Sequence, residues 1–254
     1  MAFLAHNVFI IMAAVAAAFF LCGEIGFEYG RRRAAQTGDD VPLGVTLAAA
    51  YGVVALLLGF SFQLAINRYD ERRLTLVDEA NAIGTTILRT RLFDEATGAA
   101  LRVKLRDYVD ARIEFSAAGA DVAARKAPGE RSERLQNELW ALAMTTVKRD
   151  PRSTLSPLFV QTLNNMIDVS AKQEAVLNAV IPVPILIVLL IVVLMAAMLL
   201  GIDFGRKGTR APVVSALFAI MIVLVVFIIV DLDLPQHGLI LIDLSPLRSL
   251  YQLF

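Results

Sequence analysis

Twelve consecutive residues, Ala219 to Val230 (AIMIVLVVFIIV), carry no polar side chain. They form the core of an apolar run from Ala211 to Val230, and three other runs have comparable length: Val8 to Phe27, Val41 to Ile66 and Val180 to Ile202. Crossing roughly 30 Å of hydrocarbon takes about 20 helical residues. A span in lipid must satisfy its own backbone groups, so each run predicts a transmembrane helix. The runs are continuous and do not alternate, which excludes an outer-membrane barrel. Composition agrees, with 57% hydrophobic and 19% charged residues over 254 positions, where a soluble domain has about 45–50% and 25%. That excludes a disordered chain and an ordinary cytosolic enzyme. Lys+Arg and Asp+Glu balance at 24 each, so nothing points to nucleic acid as a partner. The single cysteine, Cys22, excludes an internal disulfide framework or a multi-cysteine zinc site.

The expected fold class is therefore all-α: a polytopic membrane protein of four spans with a helical extramembrane insert. Residues 1–66 hold spans one and two, 67–178 the insert, 179–234 spans three and four, and 235–254 a short C-terminal tail. The insert carries 17 of the 24 basic and 16 of the 24 acidic residues, which places it outside the hydrocarbon. Leu76, Val77, Ala80, Ile83, Ile87 and Leu88 recur at helical spacing, so Tyr69 to Phe93 reads as a helix continuing out of span two. Gly98 is expected to interrupt it. Leu101, Leu105, Tyr108 and Val109 predict a second insert helix. Ala117 to Ser132 (AAGADVAARKAPGERS) is the expected loop, with Gly119, Pro128 and Gly129 as breakers. Leu135, Leu139, Leu142, Ala143 and Val147 predict a third helix, ended before Pro151. Leu158, Leu163, Met166 and Ile167 predict a fourth that runs into span three. MAFLAHNVF has no basic n-region, so no cleaved signal peptide is expected. Cys22 lacks the small residues of a lipoprotein cleavage site and reads as a plain membrane cysteine.

An even number of spans puts both termini and the insert on one side. The two short loops hold six basic residues (Arg31, Arg32, Arg33, Arg206, Lys207 and Arg210), against four in the insert close to the spans (Arg68, Arg72, Arg73 and Lys172). By the positive-inside rule, this leans toward short loops in the cytoplasm and the insert outside.

On span two, Gly52, Leu56, Gly59, Gln63 and Asn67 fall four, three, four and four residues apart, on one helical face. Ser61 lies elsewhere. Two glycines and two amides suit either close helix packing or a water-lined path. Glu24 and Glu28 share a face near the end of span one. They read either as an interfacial ion pair with Arg31 to Arg33 or as a cation-attracting ring. Asp231 and Asp233 end the fourth span before Pro235, either as a hydrated turn or in a structural or cation-binding role across subunits; one chain alone offers too few oxygens for a metal. Asp70 and Arg73 are spaced as an i,i+3 pair, and Arg68 and Glu79 could cross-link insert helices or subunits. Pro182 and Pro184 force a kink or a helix start at span three. His6 and His237 stand at opposite ends of the chain, and no zinc-protease pair, nucleophile elbow or phosphate loop occurs. No catalytic residue, metal or cofactor is expected.

Several motifs resemble a known family. Leu58-Gly59-Phe60 followed by Asn67-Arg68-Tyr69-Asp70-Glu71-Arg72 is similar to the second membrane helix of bestrophin channels and its exit. The NRYDERR tract, the following EANAIGT (Glu79 to Thr85) and the Asp231-Leu232-Asp233, Pro235, Gly238 exit resemble the bacterial bestrophin-like domain family more closely, over most of the chain. The resemblance implies a homo-oligomeric channel for inorganic ions, a pentamer, in a bacterial inner membrane, with span two lining the pore. It also implies a hydrophobic neck ending at Phe60. Counting back by fours gives Leu56 and Gly52, and Gly52 departs from the apolar pattern. The calcium clasp of animal bestrophins has no counterpart here. The family places the insert in the cytoplasm, opposite to the charge count, and the side stays open. A scaffold or sensor whose insert binds a partner is the alternative.

Overall fold

The computed structural model describes residues 8–37, 43–236 and 239–254, and these are helical almost throughout, with no strand among them. The helices are α1 (Val8–Thr37), α2 (Gly44–Arg89), α3 (Glu95–Ala118), α4 (Val122–Arg149), α5 (Leu155–Asn178), α6 (Val183–Arg206), α7 (Pro212–Asp233) and the short α8 (Ser245–Ser249). 3₁₀ turns follow α2 (Thr90–Leu92) and α8 (Leu250–Leu253). Four helical stretches are long and apolar enough to cross a membrane, as the four runs predict. The chain forms two compact units, and α2 gives its first half to one and its second half to the other.

The membrane unit holds α1, α2 up to Asn67, α6 and α7. Here α1 and α6 meet backbone to backbone. A β-carbon at Gly26 would fall on the Met198 carbonyl, and one at Gly30 on that of Ile202. From the other side, Gly201 and Gly205 approach the carbonyls of Gly23 and Phe27 in the same way. Lipid tails are as apolar as leucine, so helices in a bilayer gain by close van der Waals approach, which small residues permit. Phe19, Val54, Leu189, Val193, Ala196, Ala197, Ala219 and Ile222 make the buried core beside this contact. Phe218 packs on Phe19 and Tyr51, at 6.0 and 5.0 Å between ring centroids. Outward, α7 leaves Leu217, Ile220, Met221 and Leu224 exposed, and α6 leaves Ile187, Ile191 and Met195 exposed. So much bare apolar surface is stable only against lipid or another protein surface.

The helical unit holds α2 from Arg68, α3, α4, α5 and residues 234–254. Its core joins Leu76, Ile83 and Ile87 of α2 to Leu101, Leu105 and Tyr108 of α3, Leu139 of α4, and Phe159, Leu163 and Met166 of α5. Trp140, the one tryptophan of the chain, packs half-buried against this core. The expected short tail is part of the same core. Ile242, Leu244, Leu247 and Leu250 are buried in it, and Leu250 reaches within 3.3 Å of where a Gly84 β-carbon would stand. The Tyr251 hydroxyl donates to Asp110 Oδ1. That bond, with the neighbouring carboxylate charge, holds the phenol above its ordinary pKa.

Polar groups brace this core. Arg112 Nε of α3 donates to Glu79 Oε1 of α2, and the two side chains are 4% and 0% exposed. Arg89 donates to the Leu158 carbonyl (2.6 Å) and to the Thr162 hydroxyl, tying α2 to α5. Gln136 Nε2 donates to Tyr108 (3.1 Å) and Ser170 (2.9 Å), joining three helices.

Four local expectations differ from what is found. Gly98 does not interrupt a helix. The break is at Phe93, and Asp94 caps α3 by accepting from the Thr97 amide at 3.1 Å. Gly98 lies inside α3 because a β-carbon there would come within 2.8 Å of the Thr90 carbonyl. The expected loop 117–132 shrinks to a turn at Gly119, with a φ of 53°. The helix α4 then runs through Pro128, because Arg125, Ser132, Leu135, Leu139 and Ala143 form one buried stripe. That burial outweighs a proline cost of about 3 kcal/mol. The fourth insert helix does not continue into span three: Ala179 to Pro182 separate α5 from α6. Finally, Arg68 rather than Arg73 supplies an i,i+3 pair, to Glu71 at 3.7 Å.

Two outcomes follow for stability. Glu79→Ala or Arg112→Ala leaves a buried charge unpaired and lowers unfolding free energy by about 3–5 kcal/mol, whereas Glu79→Leu with Arg112→Met recovers most of it. Chemical denaturation in detergent distinguishes these, and equal losses in single and double variants would contradict the pairing. Gly201→Val drives a side chain into the Gly23 carbonyl and costs more than about 3 kcal/mol, the upper end for overpacking. Gly52→Ala, with nothing within 4 Å, leaves the melting temperature and the elution profile unchanged.

Candidate functional site: the free face of the second span

The membrane half of α2 has two dissimilar sides. Leu47, Val54, Ser61 and Ala65, seven, seven and four residues apart, are its buried stripe. Gly52, Leu56, Gly59, Phe60, Gln63 and Asn67 are all exposed on the other side. Leu56 and Phe60 are 57% and 64% exposed, which for large apolar side chains sets them apart from the packed core. Gly44, Gly52 and Gly59 have open space where a β-carbon would stand. Among the described residues of one chain, this face stays exposed rather than packed against another span. The glycines that carry helix contact are instead those of α1 and α6.

Along the free face, chemistry changes with position. Leu56 and Phe60 present bulky apolar groups one turn apart. One turn further on, Gln63 Nε2 donates to Asn67 Oδ1 at 2.8 Å. The amides keep unused donors and acceptors on their exposed side, so they can meet water or a neighbouring polar group. No charged residue stands between Gly44 and Asn67. The face therefore carries a bulky apolar stretch followed by a neutral polar one, with no charged side chain along it.

The carboxylates expected near the membrane lie elsewhere. Glu28 is clasped by Arg31 (2.8 Å) and Arg32 (2.7 Å) on its own helix. Glu24 binds Arg210 at 3.0 Å, and Arg210 also lies 4.5 Å above the Phe27 ring. The partner of Glu24 thus comes from the α6–α7 connection, not from Arg31 to Arg33. Glu24, Phe27 and Arg210 border a cleft of about 130 Å³ between α1, α6 and the start of α7. The ion pairs are exposed and screened by solvent, so each contributes little.

Asp231 and Asp233 are buried, at 2% and 5% exposure, and do not form the hydrated turn that the sequence suggests. Both carboxylate oxygens of Asp233 accept from the Ile181 amide, at 3.0 and 3.1 Å. Ile181 stands just before Pro182, whose ring has no N–H, so Asp233 anchors the entry to α6 to the end of α7. Neither Arg210 nor the Ile181 amide carries a sequence signal, because each is distant along the chain from the group it meets. Cys22 is half-buried against the membrane core. His6, His237 and Gly238 fall outside the described residues. Among those described, no group of three His, Cys, Asp or Glu is placed to hold a metal ion.

Asp233→Ala leaves the buried Ile181 amide without its acceptor and costs about 1–3 kcal/mol. Asp233→Asn keeps one acceptor and costs less. Thermal melting of both variants checks this, and an alanine variant as stable as wild type would remove the anchoring role.

Three comparisons bear on identity. No curated protein matches the chain by sequence. Solved structures do share its fold. A bacterial bestrophin homologue from Klebsiella pneumoniae, phased on zinc, superposes with a TM-score of 0.68 at 14% identity, over 97% of this chain and 96% of its own. Two single-residue variants of that protein give 0.70 at 14% identity over 97% and 96%, and 0.69 at 15% identity over 95% and 97%. Similarity at this level establishes the fold alone. The sequence-level match is to the Bestrophin-like domain and extends over residues 9–247, nearly the whole chain, and on that ground the chain belongs to the Bestrophin-like domain family.

Proposed function

We propose that this protein is an oligomeric ion channel in a bacterial inner membrane, with α2 lining the pore. The observation that carries the reading is the free face of α2. It runs exposed through the membrane unit, with no span packed on it among the described residues, and it bears Leu56 and Phe60 followed by Gln63 and Asn67. Repeated around a symmetry axis, Leu56 and Phe60 make two apolar rings one turn apart, a constriction that gates by dewetting. Gln63 and Asn67 then make a ring of amides where water re-enters. The resemblance to bestrophins favours a pentamer. Gly52 opens the end of the face before Leu56, so the neck is shorter than a three-ring bestrophin neck. Glu24 and Glu28 are engaged by arginines, Asp233 by a backbone amide, and Asp231 is buried, so we read these four as scaffolding rather than as ion-attracting groups.

The test is ion flux from liposomes reconstituted with purified protein, comparing wild type with Phe60→Ala and Leu56→Ala. Both substitutions widen and wet the neck, and flux rises several-fold in each. Salt gradients across the same vesicles then read selectivity. No flux from any of the three proteins would overturn the channel and leave a non-conducting scaffold whose helical unit binds a partner.

A further inference from the structure

Between α3, α4 and α5 the helical unit contains a cleft of about 380 Å³ that no step of ion conduction uses. Its size falls at the lower end of small-molecule sites, about 300–1,000 Å³. The floor is made by Arg112 and Arg125, 3% and 6% exposed. Both guanidinium groups lie against one ring, Phe115, at 4.5 and 5.6 Å from its centroid. Each keeps a buried nitrogen with no hydrogen-bond partner: Nη2 of Arg112 and Nε of Arg125. Arg112 has Glu79 for its charge. Arg125 has only the neutral Asn178 amide oxygen, at 2.7 Å, and no ion pair among the described residues. Burial accordingly holds the Arg125 pKa below its ordinary value, although Glu174 and Asp121 pull it up. Leaving buried donors unmade is costly, more so on a charged group.

The rim differs in sign. Glu130, Glu133 and Glu174 are exposed around the opening, with Lys126 beside them. With Arg112 already neutralised by Glu79, the remaining charge is one buried cation, one rim cation and three rim carboxylates. A phosphate or a dicarboxylate would meet that rim with repulsion. A molecule with one carboxylate and one ammonium matches both ends: the carboxylate takes the guanidinium donors in charge-assisted bonds, and the ammonium faces the rim. We propose that this cleft binds a small zwitterion of the α-amino-acid class, carboxylate toward Arg125 and Arg112, ammonium toward Glu130, Glu133 and Glu174, with its side chain along Phe115 and Ile167.

Titration calorimetry on the full chain in detergent tests this with L-glutamine and L-leucine as probes, and with succinate and inorganic phosphate as contrasts. At least one amino acid binds with a Kd below about 1 mM, and the two dianions do not. Arg125→Gln weakens that binding tenfold or more. Ala171→Trp, which covers the opening from an exposed position on α5 and removes no charge, abolishes it. Binding of the dianions in preference to the amino acids would replace the zwitterion with a plain anion and overturn the assignment. So would amino-acid binding unchanged in Ala171→Trp, or no binding by any probe. The readout is independent of ion flux, so its failure leaves the channel reading intact, and the reverse holds too.

Discussion

The backbone contact between α1 and α6 is the constraint on which the membrane unit depends. Gly23, Gly26 and Gly30 face Ala197, Gly201 and Gly205 at a distance that admits no β-carbon at most of these positions. In lipid, such approach replaces the hydrophobic gain that drives packing in water. While α1 gives its close-packing face to α6, the membrane half of α2 packs through the stripe from Leu47 to Ala65, with Tyr51, Leu57 and Leu58 beside it, and its other side is exposed. The free face of α2 thus lies apart from the glycines that pack the other helices.

The helical unit is held by different physics. It has an ordinary aliphatic and aromatic core, and two arginines of α2, Arg72 and Arg89, reach across to carbonyls at opposite ends of α5: Ala179 at 2.7 Å and Leu158 at 2.6 Å. The Glu79–Arg112 pair adds specificity more than stability, since two apolar residues could occupy the same volume. Its geometry requires α2 and α3 to pack in one register. The Gly119 turn fixes the next contact: the Ala120 amide donates to the Pro235 carbonyl at 2.8 Å, and a β-carbon at Gly119 would fall on Gln236. Pro235, Gln236 and the stretch from Ile242 to Leu250 are therefore tied into this unit as its helices are.

How much of this could be read from the sequence depends on the range of the interaction. The four spans were legible because little besides a membrane helix requires an apolar run of bilayer length. The α2 stripe from Leu76 to Leu88 was legible from its period. The working glycines were less so: Gly26 and Gly30, Gly201 and Gly205, and Gly52 and Gly59 carry the same kind of small-residue spacing, and nothing local tells which pairs face a helix. Pro128 and Gly129 misled because a tertiary stripe outweighed two strong breakers. Asp231 and Asp233 read as water-facing because the amide that Asp233 meets lies 52 residues earlier. Arg125, inside the supposed loop, gave no hint that it would be buried beside Phe115.

Trp140 is the single indole in the chain, and it sits half-buried on the core of the helical unit, with none in the four spans. Excited at the red edge, where tyrosine no longer absorbs, intrinsic fluorescence therefore reports on one unit and is blind to the other. A shift in its emission reads the loosening of the α2–α5 bundle while the membrane helices remain optically silent. The protein carries a built-in reporter for separating the melting of its two halves, with no label and no added probe.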